Sequence, residues 1–265
     1  MKLPIHTIGR VVIAGLGIVL ICADAASAQV NDRLTPIQQR IQVEQRRLTS
    51  ASVEERRDAL MKLGAMNHPA AARAAMSALN DSEPVVRVTA VHALTALPAA
   101  DAATALNPLL ADKLEFVRRE AANALGSARS RASVQPLLQL LTTDKEPSVR
   151  AAAALALGRI QDEAAVVPLS NILSGNTSGK KSKREDEFVM QSAAQALGEI
   201  RSRAGVSALI ATLSNEKNEI EVRRSAAEAL GQIGDPTAVP ALKSAADSSD
   251  PYLSQAARAA LRHLR

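Results

Sequence analysis

Aromatic side chains are almost absent from this chain, with two Phe, one Tyr and no Trp among 265 residues. A core without large rings must be filled by alanine, leucine and valine, and apolar residues together reach 47%. Small side chains of this kind suit helices packed closely layer on layer, and alanine has the highest helix propensity. Cysteine is just as scarce. With Cys22 alone, no intrachain disulfide can form and no thiolate cluster can hold a metal. The four histidines make no His-Glu pair and no His-x-x-x-His spacing, so the common zinc and di-iron patterns are missing. A Gly-x-Ser-x-Gly elbow and a phosphate-cradling glycine loop are absent too. No catalytic, cofactor-binding or metal-binding constellation is left, and the residues predict a protein that is not an enzyme.

Near the start, the uncharged run from Val11 to Ala23 falls short of the roughly 20 residues needed to cross a bilayer. Lys2 and Arg10 precede it, and Ala26-Ser27-Ala28 follows. A positive start, a short apolar segment and a small-x-small exit make residues 1–28 a secretory signal peptide. The expectations are cleavage after Ala28, export to a bacterial periplasm and no stable membrane span afterwards. Bulky Ile21 before Cys22 argues against lipidation, and the mature chain carries no cysteine. The net charge of +5 and pI near 9.6 would suit nucleic acid, because phosphate contacts dominate non-specific affinity. For an exported chain the same numbers describe a mildly basic secreted protein.

What the chain has in abundance is repetition. Val117-Arg118-Arg119-Glu120-Ala121-Ala122-Asn123-Ala124-Leu125-Gly126 returns from Val86, Val149, Val189 and Val222, with weaker copies from Glu55 and Leu253. The anchoring leucines Leu63, Leu94, Leu125, Leu157, Leu197, Leu230 and Leu261 are spaced by 31, 31, 32, 40, 33 and 31. A period in this range marks a stacked-repeat architecture. Each unit reads as two helices. In the third, helix A runs over Glu115–Leu125 with Gly126 as its C-terminal cap, and helix B over Ser133–Leu141. Pro84, Pro147 and Pro251 open helices at the unit junctions. Residues 29–51, with Thr35-Pro36 starting a helix that carries Ile37, Ile41 and Leu48, form an N-terminal cap outside the period. The array proper spans 52–265, about six repeats and a final helix, with a loop insertion at 175–187.

The Val-Arg-x-x-Ala-x-x-Ala-Leu-Gly runs, and the Asp-Pro-x-Ala-Val-Pro-Ala-Leu segment from Asp235 to Leu242, resemble the HEAT repeat in the short form found in phycobilisome-lyase-like proteins. The resemblance implies an all-α, right-handed α-solenoid whose B helices line the concave side. It also implies an Asp–Arg ladder. Asp81, Asp112 and Asp144 each precede their unit's arginine (Arg87, Arg118, Arg150) by six residues; they should cap helix A and pair with arginines along the stack. The ladder should lapse at Met190, Lys217 and Ser248. Phe116, Phe188 and Tyr252 occupy one repeat column and read as filling between successive helices.

Counting along helix B, three positions per unit should face outward. They give Arg73, Met76 and Ser77; Thr104, Asn107 and Pro108; Gln135, Leu138 and Gln139; Val167, Ser170 and Asn171; Ser207, Ile210 and Ala211; Pro240, Lys243 and Ser244. Only Arg73 and Lys243 are charged, whereas a nucleic-acid groove shows a basic track. A neutral row of methyls, amides and hydroxyls suits a protein or peptide partner, since the centres of such contacts are depleted in charge. The insertion adds a basic run, Lys180, Lys181, Lys183 and Arg184, ahead of Glu185-Asp186-Glu187; it reads as a solvated surface loop or a patch for an acidic partner. The leading expectation is an exported, non-enzymatic scaffold. The alternatives are a HEAT-like nucleic-acid binder, and a lyase- or chaperone-like factor for a cofactor-bearing protein.

Overall fold

Proline and short polar side chains decide where the helices begin. In the computed structural model, which describes residues 34–175 and 185–264, α1 (Pro36–Arg47) is followed by six helix pairs. These are α2 (Val53–Ala65) with α3 (Pro69–Ala75), α4 (Pro84–Ala93) with α5 (Ala99–Leu106), and α6 (Glu115–Ser127) with α7 (Val134–Thr143). The next three are α8 (Pro147–Ile160) with α9 (Val166–Ser174), α10 (Glu187–Ile200) with α11 (Val206–Ser214), and α12 (Ile220–Ile233) with α13 (Val239–Ala246). A last helix, α14 (Pro251–His263), closes the series. Pro69, Pro84, Pro147 and Pro251 stand in first turns, where no N–H is missed. Among the described residues there is no strand, and the fold is an all-α solenoid. The proposed signal peptide and the basic run Lys180, Lys181, Lys183 and Arg184 lie outside the described residues.

First helices pack on first helices along the array, and the second helices pack chiefly on the first helix of the pair that follows. The core lies between the two rows. Leu63, Leu125, Leu157, Leu197 and Leu230 are completely buried there. Leu261 of α14 is only half-buried; no further helix follows it among the described residues. Burying one such leucine is worth about 1.5–3 kcal/mol, and α1 covers the other end with Ile41 and Leu48.

The glycine after each anchoring leucine does not end its helix, contrary to the sequence expectation. Gly126 lies inside α6 and is buried. A Cβ there would stand 2.6 Å from Cα of Ala156, and equivalent atoms at Gly158, Gly198 and Gly231 would meet Ala196, Ala229 and Ala260 at 2.7, 2.9 and 2.8 Å. Each glycine therefore faces the alanine that precedes the next unit's leucine. These residues bring successive first helices backbone to backbone. The helix ends instead near a left-handed residue three positions later: Asn67, Arg129, Gln161, Arg201 or Gly234. Where Thr95 replaces the glycine, α4 stops at Ala93 and Thr95 turns outward, clear of the contact.

Arginine and aspartate tie the same units together at the opposite ends of the first helices. Arg56 grips Asp81 through Nε and Nη2 at 2.7 and 2.9 Å, Arg87 grips Asp112 at 2.8 and 3.0 Å, and Arg118 grips Asp144 at 2.6 and 3.0 Å. Such two-pronged pairs are among the stronger polar contacts. Each arginine reaches the aspartate of the following unit. Nη1 of Arg87, Arg118 and Arg150 donates to the carbonyl of the aspartate six residues before it, at 2.8 Å in each case. The carboxylates bond the N–H two residues on, at Glu83, Leu114 and Glu146. They thus close the turn before the helix rather than capping its first turn, which refines the expected role.

A fourth rung, Arg150 Nη2 to Glu185 at 2.6 Å, escapes the sequence pattern because Glu185 lies five residues, not six, before Met190. Beyond it the ladder lapses. Met190 (4% exposed) and Lys217 occupy the two halves of one rung, so no buried charge is left without its counter-charge. Arg223, opposite Ser248, donates instead to the carbonyl of Leu213 at 2.9 Å. The aromatic column also differs from expectation. Phe116 is half-buried against the core, but Phe188 and Tyr252 are 52% and 65% exposed. First helices this close leave no room for a ring between them.

Two glycines three residues apart should fail for different reasons. Gly231→Ala places Cβ against the Ala260 backbone and should cost about 1–3 kcal/mol, whereas Gly234→Asn, with open space around its Cβ, should cost less than about 1 kcal/mol. Thermal melts of the two variants check this. At the lapsed rung, Met190→Arg alone should destabilise by about 3 kcal/mol as an unpaired buried charge. Adding Lys217→Asp should recover most of that loss, and a double-mutant cycle in urea measures the coupling.

Candidate functional site

The second-helix row is the face the fold leaves unoccupied. Each second helix buries one apolar stripe, such as Val134, Leu137, Leu140 and Leu141 in α7, and turns the remainder outward. Arg73, Thr104, Gln135, Val167, Ser207 and Lys243 are exposed, as are Gln139 and Asn171. Met76, Asn107, Leu138, Ser170 and Ile210 sit lower and are half-buried; Met76, Leu138 and Ile210 pack against the core. The row therefore has raised margins and a sunken middle line.

In α3 and α5 the row changes pitch midway, into 3-10 turns at Met76–Asn80 and Asn107–Ala111. Pro108 explains the second case, because it cannot donate to a carbonyl four residues back. The turn brings Asn107 toward α7, where a cavity of about 570 Å3 opens. Asn107, Pro136, Gln139, Thr143 and the Arg118–Asp144 rung line it. A second cavity of about 580 Å3 adjoins it, bounded by Gln135, Pro136, Leu138, Gln139, Thr142 and Pro168. Pro136 and Gln139 border both, so one depression runs from the second unit to the fourth.

Of the residues picked from sequence, Asn107, Gln135, Leu138 and Gln139 are brought together around this depression. Arg73, Met76 and Thr104 lie before it along the row, and Ser207, Ile210 and Lys243 lie beyond it. Arg73 is not a free charge, since it donates to Asp101 at 3.1 Å. Two atoms on the sunken line, Asn107 Oδ1 and Ser170 Oγ, are buried without a partner in the protein. Of the two residues, Asn107 borders the depression. Thr142, Thr143, Pro136 and Pro168 escaped the sequence reading, which counted three positions per helix. The length of α7 was the missing signal.

The carboxylates at the floor are held ionised. Burial pushes Asp112 and Asp144 up, but hydrogen bonds from Arg87 and Arg118, the backbone N–H groups and nearby positive charge together outweigh it. Both are left below the usual carboxylate range, and so is Asp81 beside Arg56. These groups are committed to each other as structure. Elsewhere, His68 Nδ1 accepts the N–H of Ala70, and His92 contacts Glu120 at 3.2 Å. Among the described residues, no three His, Cys, Asp or Glu side chains gather as a metal site. No described helix is long and apolar enough to cross a membrane.

The profile of HEAT repeats matches residues 43–122, 115–179 and 181–262. The chain belongs to the HEAT repeat family. No curated protein matches it. Among solved structures, this HEAT array is similar to YibA of Escherichia coli, with 20% identity, 91% of this chain and 85% of that one covered, and a TM-score of 0.59. It is also similar to the CpcE and CpcF complex of phycocyanin lyase from Nostoc sp. PCC7120, at 23% identity, 88% and 87% coverage and a TM-score of 0.51. An engineered protein matches at 23% identity, 84% and 68% coverage and a TM-score of 0.53. At these identities the likeness is one of fold.

The depressed carboxylates fix the sign of an acid response. Their stabilisation is complete above the unfolded-state value of about 3.9 and is lost as pH falls through the lower folded values. Helicity followed by circular dichroism should therefore not respond to these groups until below about pH 4. In Arg118→Met, Asp144 keeps its burial but loses its partner, so the acid transition should begin at higher pH.

Proposed function

We propose that this HEAT array is an exported scaffold that binds a protein or peptide along its second-helix row, the side expected to be concave, and carries out no reaction. The supporting observation is the depression between the second and fourth units, bordered by the uncharged side chains of Asn107, Gln135, Leu138 and Gln139. An extended polypeptide supplies N–H groups for the amide oxygens and side chains for the methyls of Leu138 and Val167. The depression lacks the basic lining a nucleic acid needs. Among the described residues that line it, the one arginine is already paired with Asp144, and Lys145 is the only other cation. Export rests on residues 1–28, and the periplasm is the compartment that their pattern supports.

Photo-crosslinkers at Leu138, Val167 and Ile210 should capture the same discrete partner from the periplasmic fraction, in which the mature chain starts at Gln29. Met61, exposed on the first-helix row, is the negative control. Val167→Glu should weaken capture without changing the melting temperature, because the side chain is 67% exposed. Equal labelling from Met61, or no discrete species from the three row positions, would sink the proposal.

A further inference from the structure

The turns joining each first helix to its second helix lie along one edge of the array, and in units three to five they are rich in arginine. Arg129, Arg131, Arg159, Arg201 and Arg203 are all exposed. Of the five, only Arg203 has a carboxylate within reach, Asp235 at 3.5 Å, and its own side chain is 84% exposed. A cation just beyond a helix C-terminus offsets the exposed carbonyls there, which accounts in part for Arg129, Arg159 and Arg201. It does not account for two further features.

Arg129 and Arg201 stand in the left-handed conformation, with φ of 51° and 58°. Glycine or asparagine adopts this conformation more easily, and Gly234 and Asn67 hold the same place in other units. Arg131 and Arg203 begin the turns that lead into α7 and α11, at the positive end of a helix, where a cation is disfavoured. The matching residue in unit four is Glu163. Arginine is thus placed on this edge against local preference. Four carboxylates share it: Asp235 faces Arg203, Asp162 caps Ala164, Glu199 is bonded to Gln195, and Glu163 is exposed.

Immediately inside this edge the second helices begin, with Gln135, Val167 and Ser207 exposed and uncharged. A cationic rim beside a neutral face is the anatomy of a protein contact whose rim sets partner choice. We propose that this arginine rim selects an acidic polypeptide, whose Asp or Glu residues flank the uncharged stretch that enters the row. The inference rests on the binding role proposed above and adds the chemistry of the partner. A nucleic acid fits less well. Single strands need aromatic platforms beside the cations, whereas Phe116, Phe188 and Tyr252 lie at the starts of first helices, on the opposite edge.

The test uses the mature chain and a fluorescent Glu-rich peptide with a central Val-Leu pair. Its Gln-for-Glu counterpart, a single-stranded DNA and anionic lipid vesicles serve as comparison probes. Anisotropy should show the Glu peptide binding at low salt and weakening as salt rises. Arg131→Glu with Arg203→Glu should weaken that binding by roughly tenfold or more, with an unchanged helical spectrum. The assignment is overturned if the Glu peptide does not bind, if the Gln peptide binds equally well, or if the double variant binds normally. Tighter binding of DNA or vesicles with the same arginine dependence overturns it too. Crosslinking in cells separates the two readings. A partner still captured at Leu138 and Val167 in the double variant leaves the row standing and removes the rim, whereas loss of capture supports both.

Discussion

Everything in this molecule follows from how closely successive first helices approach one another. At Gly126, Gly158, Gly198 and Gly231 the neighbouring backbone lies where a side chain would begin. The alanine-rich composition is the sequence expression of that distance. In α8 the alanines 151–154 are buried on nearly every side, because the helices on both flanks close over them. The same closeness explains the shortage of aromatics and the exposure of Phe188 and Tyr252. A layer this thin has room for methyl groups, and rings are left at its margin.

Much of this was legible in the chain because repetition averages out local ambiguity. The 31-residue spacing, the proline openings and the Val-Arg runs lead to paired helices, and the resemblance to HEAT repeats adds the Asp–Arg rungs. The errors came where one residue type serves two purposes. Glycine after a helical leucine ordinarily suggests a cap, and only the partner helix, a repeat away, reveals that Gly126 is there for contact. Glu185 was hidden for a related reason: the insertion shifts the count, and a longer side chain makes up the difference. On the candidate face, the outward positions were readable from periodicity. The pooling of Asn107 with Gln139 was not, since it depends on the change of pitch at Pro108.

The two rows divide the work. First helices, joined by Gly–Ala contacts and rungs, supply rigidity. Second helices carry larger apolar residues inward and leave a varied surface outward. That separation lets the outer residues differ from unit to unit, from Arg73 to Lys243, without disturbing the core leucines. Charge follows the same division: the buried Arg56, Arg87 and Arg118 are paired in the ladder, and the exposed arginines of the turns in units three to five lie on one edge.

The rungs also give the array a direction. Arg56, Arg87, Arg118 and Arg150 are each answered by the unit after them, so a repeat duplicated or transplanted within that stretch must bring a matching half on each side or leave a charge stranded. Between the fifth and sixth units both halves are gone together. At that seam modules could be exchanged without such a penalty, because neither side presents a charge that needs the other.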